Sequence, residues 1–241
     1  MDVVRKDIHN SEVPVVCRAC EARHGGVCGA MTPAQLTELS RYTTRKTVES
    51  GSELHGQGQA VVTYANILKG VVKLTKVMED GRQQIVGLQF APDFLGRPFV
   101  HESALTAEAA TEIEICAVSK TALERMIRNS PELEHRLHSQ VLKELDDARD
   151  WMLTLGRKTA KEKVASFLHF LAANYDPESV DVIKFDIPLT RQEIADFLGL
   201  TIETVSRQMT RLRQEGVINI VNNRAVTIPN VDRLAEAAGK D

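Results

Sequence analysis

The stretch from Thr190 to Glu215 constrains this chain more than any other. Thr190-Arg191-Gln192-Glu193 has the form of a capping box. The threonine hydroxyl can accept the N–H three residues on, while the glutamate reaches back to the threonine N–H. It opens a short helix carrying Ile194, Ala195 and Leu198, which Gly199 ends. Thr201 then caps a second helix running to about Glu215. Two short helices joined by a glycine-bearing turn form a helix-turn-helix. Ala195 permits close approach, Gly199 supplies the turn and Val205 anchors the second helix. Gln208 stands where an apolar residue is more usual, so Met209 and Leu212 must carry more of the packing.

Beyond the second helix, Val217 to Val221, Asn222-Asn223 and Ala225 to Ile228 read as a hairpin, a wing beside the helices. The second helix exposes Glu203, Ser206 and Arg207 at i, i+3 and i+4, on one face near its N-terminus. Arginine can bond guanine O6 and N7 bidentately, glutamate can accept from cytosine N4, and serine serves either. An exposed Glu–Arg ion pair on a solvated helix is the alternative reading. Arg191, Arg211 and Arg213 are candidates for DNA phosphate contacts, the latter two pointing partly away from the base-reading face. The net charge of −3 does not by itself announce a nucleic-acid binder.

Upstream, Ser130-Pro131-Glu132 is a helix start, and no breaker follows until Gly156. Val141, Leu145, Ala148, Met152 and Leu155 step by 4, 3, 4 and 3, the spacing of a coiled-coil seam. The seam predicts pairing with an identical helix; packing on the chain's own barrel is the alternative. A further helix is expected from Thr159, then a turn at Asp176-Pro177 and a strand from Val182 to Ile187. Between Val48 and Val118 short apolar runs alternate with glycine. Val71 to Met78 and Gln83 to Phe90 flank Asp80-Gly81, a hairpin signal. Such spacing predicts a small barrel or jelly roll. Thr32-Pro33 starts a short helix over 33–40, and residues 1–30 show no periodicity of either kind.

Three of the four cysteines, Cys17, Cys20 and Cys28, fall in that arm, and Cys116 follows 88 residues after Cys28. Cys-x2-Cys is a common metal-ligand spacing, but the seven-residue gap to Cys28 fits neither a zinc ribbon nor common ferredoxin patterns. The spacing points to a metal without naming it. Around Cys116, alternation sends Ile113, Ile115 and Ala117 to one face and Glu112, Glu114 and Cys116 to the other, which predicts a polar setting for the thiol. The sequence contains no P-loop, G-x-S-x-G, H-E-x-x-H or G-x-G-x-x-G motif, so an enzyme is not expected. No apolar run is long enough to span a bilayer and no leader is evident at the first residues; a cytoplasmic protein without membrane contact is expected.

A barrel, a long helix and a winged helix-turn-helix, in that order, resemble the CRP/FNR family across nearly the whole chain. The segment Leu200-Thr201-Ile202-Glu203-Thr204-Val205-Ser206-Arg207 is similar to the recognition helix of the FNR branch. The resemblance implies an α+β fold. Residues 1–30 form a cysteine-rich cluster-binding arm, 31–129 a β-roll (jelly-roll) sensor domain, 130–156 a dimerisation helix, and 157–241 a winged helix-turn-helix domain. It implies a homodimer that binds double-stranded DNA at a TTGAT-type palindrome through Glu203, Ser206 and Arg207, with RNA polymerase as a further partner. It also implies a [4Fe–4S] cluster on Cys17, Cys20, Cys28 and Cys116, whose oxidation by oxygen is the signal. The long gap before Cys28 looks like the FnrN- and FixK-like regulators. Two features depart from relatives. The barrel lacks the Gly-Glu and Arg-Ser/Thr pairs of the cyclic-nucleotide branch, so no cyclic nucleotide is expected. Ala148 also stands on the seam where FNR-type regulators are associated with an acid. An arm that holds zinc or no metal, and does not sense oxygen, is the alternative.

Overall fold

The computed structural model describes residues 13–175 and 182–239, so the turn expected at Asp176-Pro177 lies outside them. The chain divides into two compact units. One comprises the residues through Val77 with Leu88–Lys143, the other Met78–Gly87 with Glu144–Asp241.

The first unit begins with the arm, which is not formless: it contains α1 (Val15–Arg18), α2 (Glu21–His24) and a 3-10 turn (Val27–Ala30). Single turns are too short to leave a periodic signature and too weak to stand alone, so tertiary contact fixes them. Gly26 shows how tightly: a Cβ there would lie 2.8 Å from the carbonyl oxygens of both Ala22 and Pro92. Next, α3 (Pro33–Ser40) carries a capping box. Gln35 N donates to Thr32 Oγ1 at 3.3 Å, and Thr32 N to Gln35 Oε1 at 2.8 Å.

Eight strands follow, β1 (Thr43–Val48), β2 (Glu53–His55), β3 (Thr63–Lys69), β4 (Val71–Val77), β5 (Gln83–Phe90), β6 (Phe94–Leu95), β7 (Thr106–Ala109) and β8 (Ile113–Ser119). They form two four-stranded sheets, ordered β1-β8-β3-β6 and β2-β7-β4-β5. Ile67, Val72, Ala107, Ala109, Ile113 and Ile115 share one core within this roll. After it come α4 (Lys120–Arg128), which the strand-dominated reading of this region missed, and α5 (Pro131–Arg157). A second core gathers Val27, Leu36, Leu39, Val118, Leu123 and Leu133, from the arm, α3, β8, α4 and α5.

The second core adds to the setting expected for Cys116. Glu114 is exposed, as alternation requires, while Val118 on the same face is only 2% exposed. Cys116 lies on the face read as polar and is half-buried there, because the arm, α3 and α4 cover this end of the sheet.

In the second unit α6 (Ala160–Tyr175) is capped by Thr159, whose Oγ1 accepts from Glu162 N at 3.4 Å. Then come β9 (Ile183–Asp186), α7 (Arg191–Leu198), α8 (Ile202–Gln214), β10 (Asn219–Val221), β11 (Ala225–Ile228) and α9 (Val231–Ala237). The strands make one sheet, β10-β11-β9. Phe167, Leu168, Ile194, Leu198, Val205 and Leu212 are all buried. Trp151, on the second half of α5, lies edge-on to Phe197 with ring centroids 4.5 Å apart.

Candidate DNA interface and cysteine site

The helix-turn-helix forms as its caps require. Glu193 N donates to Thr190 Oγ1 at 3.2 Å while Thr190 N donates to Glu193 Oε2 at 2.7 Å. Gly199 ends α7 in the left-handed region at φ 61° and ψ 42°, a conformation that costs residues with a Cβ. Thr204 N donates to Thr201 Oγ1 at 3.2 Å and starts α8. Ala195, Val205, Met209 and Leu212 are buried between the helices and their support. Gln208 is half-buried, and its amide oxygen is buried without a hydrogen-bond partner.

Glu203, Ser206 and Arg207 are exposed on α8. Arg207 Nη2 donates to Thr204 Oγ1 at 3.4 Å, a weak bond that leaves the rest of the guanidinium fork open. Arg211, read from the sequence as pointing partly away, lines the same shallow depression as Ser206, Arg207, Thr210 and Gln214. One turn of α8 separates it from Arg207, and Arg211 Nε donates to Glu215 Oε1 at 2.9 Å. Arg213 is exposed in the last turn of α8. Arg191 is half-buried at the start of α7, with one guanidinium nitrogen buried and unpartnered, and burial holds its pKa below the usual arginine value. The wing turns through Asn222 and Asn223, at φ 52° and 58°, with Val221 paired to Ala225.

Along α5, every residue from Val141 to Asp150 is exposed. Val141, Leu145 and Met152 are 54%, 44% and 73% exposed, an apolar stripe that no described residue covers. Ala148 lies on the stripe, Leu155 at its end is half-buried, and Leu142 and Leu153, not anticipated as seam residues, are exposed as well.

The four cysteines, all free thiols, line a single enclosed pocket in the first unit. Its free space is about 20 Å³, enough for roughly one water. The Cys28 thiol is pushed up to about 12, by burial first and then by Cys116, Cys20 and Cys17. Burial and then Cys20 raise Cys17. Burial raises Cys116 too, followed by Cys20 and Cys17, while a Thr43 hydrogen bond and Arg45 pull it down. Thiols that raise one another in this way are protonated at neutral pH unless a cation displaces the protons. Among the described residues no group of three or more His, Cys, Asp or Glu side chains is drawn together as the ligands of one metal ion. Arg45, Asn66 and Thr43 border the pocket as well. They escaped the sequence reading because only strand register places them there.

Comparison with known proteins gives these two sites a common frame. Residues 45–130 match the cyclic nucleotide-binding domain and residues 162–237 the Crp-like helix-turn-helix domain. A probable transcriptional activator of Rhizobium leguminosarum bv. viciae is 59% identical over 97% of this chain and 98% of its own length. The chain belongs to the CRP/FNR family of transcription regulators. Transcriptional activator protein FnrL of Cereibacter sphaeroides is 40% identical over 95% of this chain and 96% of its own. Among solved structures, FixK2 from Bradyrhizobium japonicum superposes with a TM-score of 0.73 at 29% identity, covering 81% of this chain and 96% of FixK2. The β-roll and winged helix-turn-helix are therefore those of this CRP/FNR chain, its helix-turn-helix is a DNA-binding element, and the family is not one of enzymes. No helix among the described residues is long and apolar enough to cross a membrane.

Proposed function

We propose that this CRP/FNR chain is an oxygen-responsive transcriptional activator that dimerises along α5 and binds a TTGAT-type palindrome while Cys17, Cys20, Cys28 and Cys116 hold a [4Fe–4S] cluster. The observation that carries the reading is the convergence of all four cysteines on one pocket, across 88 residues between Cys28 and Cys116. Four thiolates are the usual ligand set of such a cluster. A cluster also spreads its ligands more widely than one zinc ion does, which accords with the absence of a single-ion ligand group among the described residues. When bound, the cluster supplies oxygen-labile redox chemistry.

The chain's own residues connect this pocket to α5. Cys17 and Cys28 pack against the second core, which contains Leu133 and Leu137 of α5. The Arg136 guanidinium of α5 donates to the Gly25 carbonyl, between Cys20 and Cys28. The free space beside the sulfurs is small, so filling the site shifts the arm, and the arm bears on the first turns of α5. A change at the cysteines thus acts on the helix whose uncovered stripe is the dimer seam. Symmetric pairing presents two copies of Glu203, Ser206 and Arg207 to two half-sites of a palindrome. RNA polymerase is the partner an activator requires, and the reading places the protein in the cytoplasm. The reading includes no cyclic nucleotide, and what supports this is a carboxylate at the loop after β6, where Glu124 Oε1 accepts from Phe99 N at 2.8 Å and Tyr64 Oη at 2.6 Å.

Protein isolated without oxygen should be brown, contain about four irons per chain in the manner of a cubane cluster, and bleach in air. Cys116→Ser should abolish the colour. Colourless protein with one zinc per chain would establish the alternative, an arm held by a structural metal.

A further inference from the structure

Strand register builds a row across the first sheet that bears on the cysteine pocket. On the central strand of three, Cys116 pairs with Arg45 of β1 on one side and with Asn66 of β3 on the other. Directly opposed residues of antiparallel strands project from the same face. A cation and an amide therefore flank the thiol that the sheet contributes.

Asn66 is the more unusual of the two. It is 3% exposed, lines the pocket, and its Nδ2 donates to Cys28 Sγ at 3.6 Å. Its Oδ1 is buried with no hydrogen-bond partner among the described residues. Burying an amide half-satisfied is costly, and an apolar residue would serve the packing at least as well. The cost is offset if the N–H has a better acceptor than a neutral thiol, and a thiolate sulfur is one. Arg45 is exposed along its side chain, and its Nη2 donates to the Val16 carbonyl, one residue before Cys17. Its charge also lies close enough to favour the thiolate forms of Cys17 and Cys116.

We propose that Asn66 and Arg45 are positioning residues of the four-cysteine centre: Asn66 donates an N–H bond to the Cys28 sulfur, and Arg45, across Cys116 in the same row, offsets negative charge and ties the arm to the sheet. The inference rests on the cluster reading above. Groups around the ligands orient them and set the potential. Donors and positive charge near the sulfurs favour the reduced, more negative state, so losing them lowers the potential.

The test uses the full chain, reconstituted with iron and sulfide without oxygen. Asn66→Leu keeps a branched side chain but no donor; Arg45→Met keeps the stem but no charge. Both should lower the midpoint potential and should lose iron to a chelator, under nitrogen, about 10–100-fold faster than wild type. Arg45→Lys should recover the potential, which a merely structural role would not explain. If Asn66→Leu does not fold, Asn66→Ala takes its place in the same measurements, and the exposed Arg45 can be replaced without disturbing a core. An unchanged potential and an unchanged rate of iron loss in the Asn66 or the Arg45 variant overturn the assignment for that residue. A wild-type chain that takes up no iron–sulfur centre defeats the proposed function and this inference with it, an outcome visible before any variant is made.

Discussion

Arg207 and Arg211 lie one turn apart on α8 and line the same depression, yet they differ in what already holds them. Among the described residues Arg207 has the long bond to Thr204 alone, whereas Arg211 is paired to Glu215, whose other oxygen is 2.5 Å from Lys161 Nζ. The freer fork suits bidentate base reading; the tethered one suits a phosphate. Arg207→Ala should cost about 1–3 kcal/mol per half-site and relax discrimination at one base pair. Arg211→Ala should weaken all duplexes alike and flatten the salt dependence by about one unit of slope. Titrations against a TTGAT palindrome and a scrambled duplex at two salt concentrations separate these outcomes; equal losses of Arg207→Ala on both duplexes would remove it as a base reader. Cys28 carries a prediction of its own for the metal-free protein. Its pKa in the fold is raised from 9.0 to about 12, so its contribution to stability is fully present below pH 9 and is lost as pH climbs toward 12. The loss has a limiting slope of about 1.4 kcal/mol per pH unit. Denaturation of wild type and Cys28→Ala between pH 8 and 11 checks this; parallel curves would mean that Cys28 is not the group concerned.

Two elements carry the architecture of DNA binding, the α7–α8 turn and the exposed stripe of α5. The turn depends on Gly199, where a Cβ would meet nothing within 4 Å, so any penalty there is one of backbone conformation. Gly199→Ala should therefore destabilise the second unit by about 1–2 kcal/mol, and Gly199→Asn by less, as thermal unfolding can measure. On α5, Ala148 sits among exposed Val141, Leu145 and Met152. In the proposed dimer a carboxylate there would face its copy across a two-fold axis; charges roughly 5 Å apart repel by about 3 kcal/mol at an effective dielectric of about 20. Ala148→Glu should weaken the dimer in sedimentation, and an unchanged dimerisation constant would place the seam elsewhere. The cap of α7 and the apolar stripe of α5 were legible because the residues that make them lie three or four positions apart. The one-turn helices of the arm were not, because a single turn has no period to read.

For the whole molecule, the cysteine pocket, the second core and α5 form one mechanical series within the first unit, with Leu133, Leu137 and Arg136 as the links. Bleaching the anaerobic protein in air should lower its affinity for the palindrome by about 5–150-fold, the usual range of coupling between two sites. Affinity for a single half-site should change little, since each α7–α8 pair is built from local caps. Equal losses on palindrome and half-site would move the effect of the cluster from dimerisation to the helix-turn-helix itself. Because Ala148 puts no acid on the seam, the metal-free chain should still associate at high concentration, a point sedimentation can decide.

What the sequence determined by itself was the helix starts whose capping donor and acceptor lie one turn apart. Thr190 with Glu193, Thr201 with Thr204 and Thr32 with Gln35 specify helix starts wherever they occur, because donor and acceptor are connected by one turn of backbone. That Glu203, Ser206 and Arg207 share one exposed face of α8, and that α5 carries an apolar stripe, follow from helical period alone. Tertiary structure decided what distance along the chain conceals. Strand register brought Arg45 and Asn66 beside Cys116, and the fold carried the arm's three cysteines to the same pocket. It also covered one end of a strand face that reads as polar, since alternation states which residues share a side but not what packs against it. Packing across 88 residues is set by which surfaces exclude water together, and no local pattern records that.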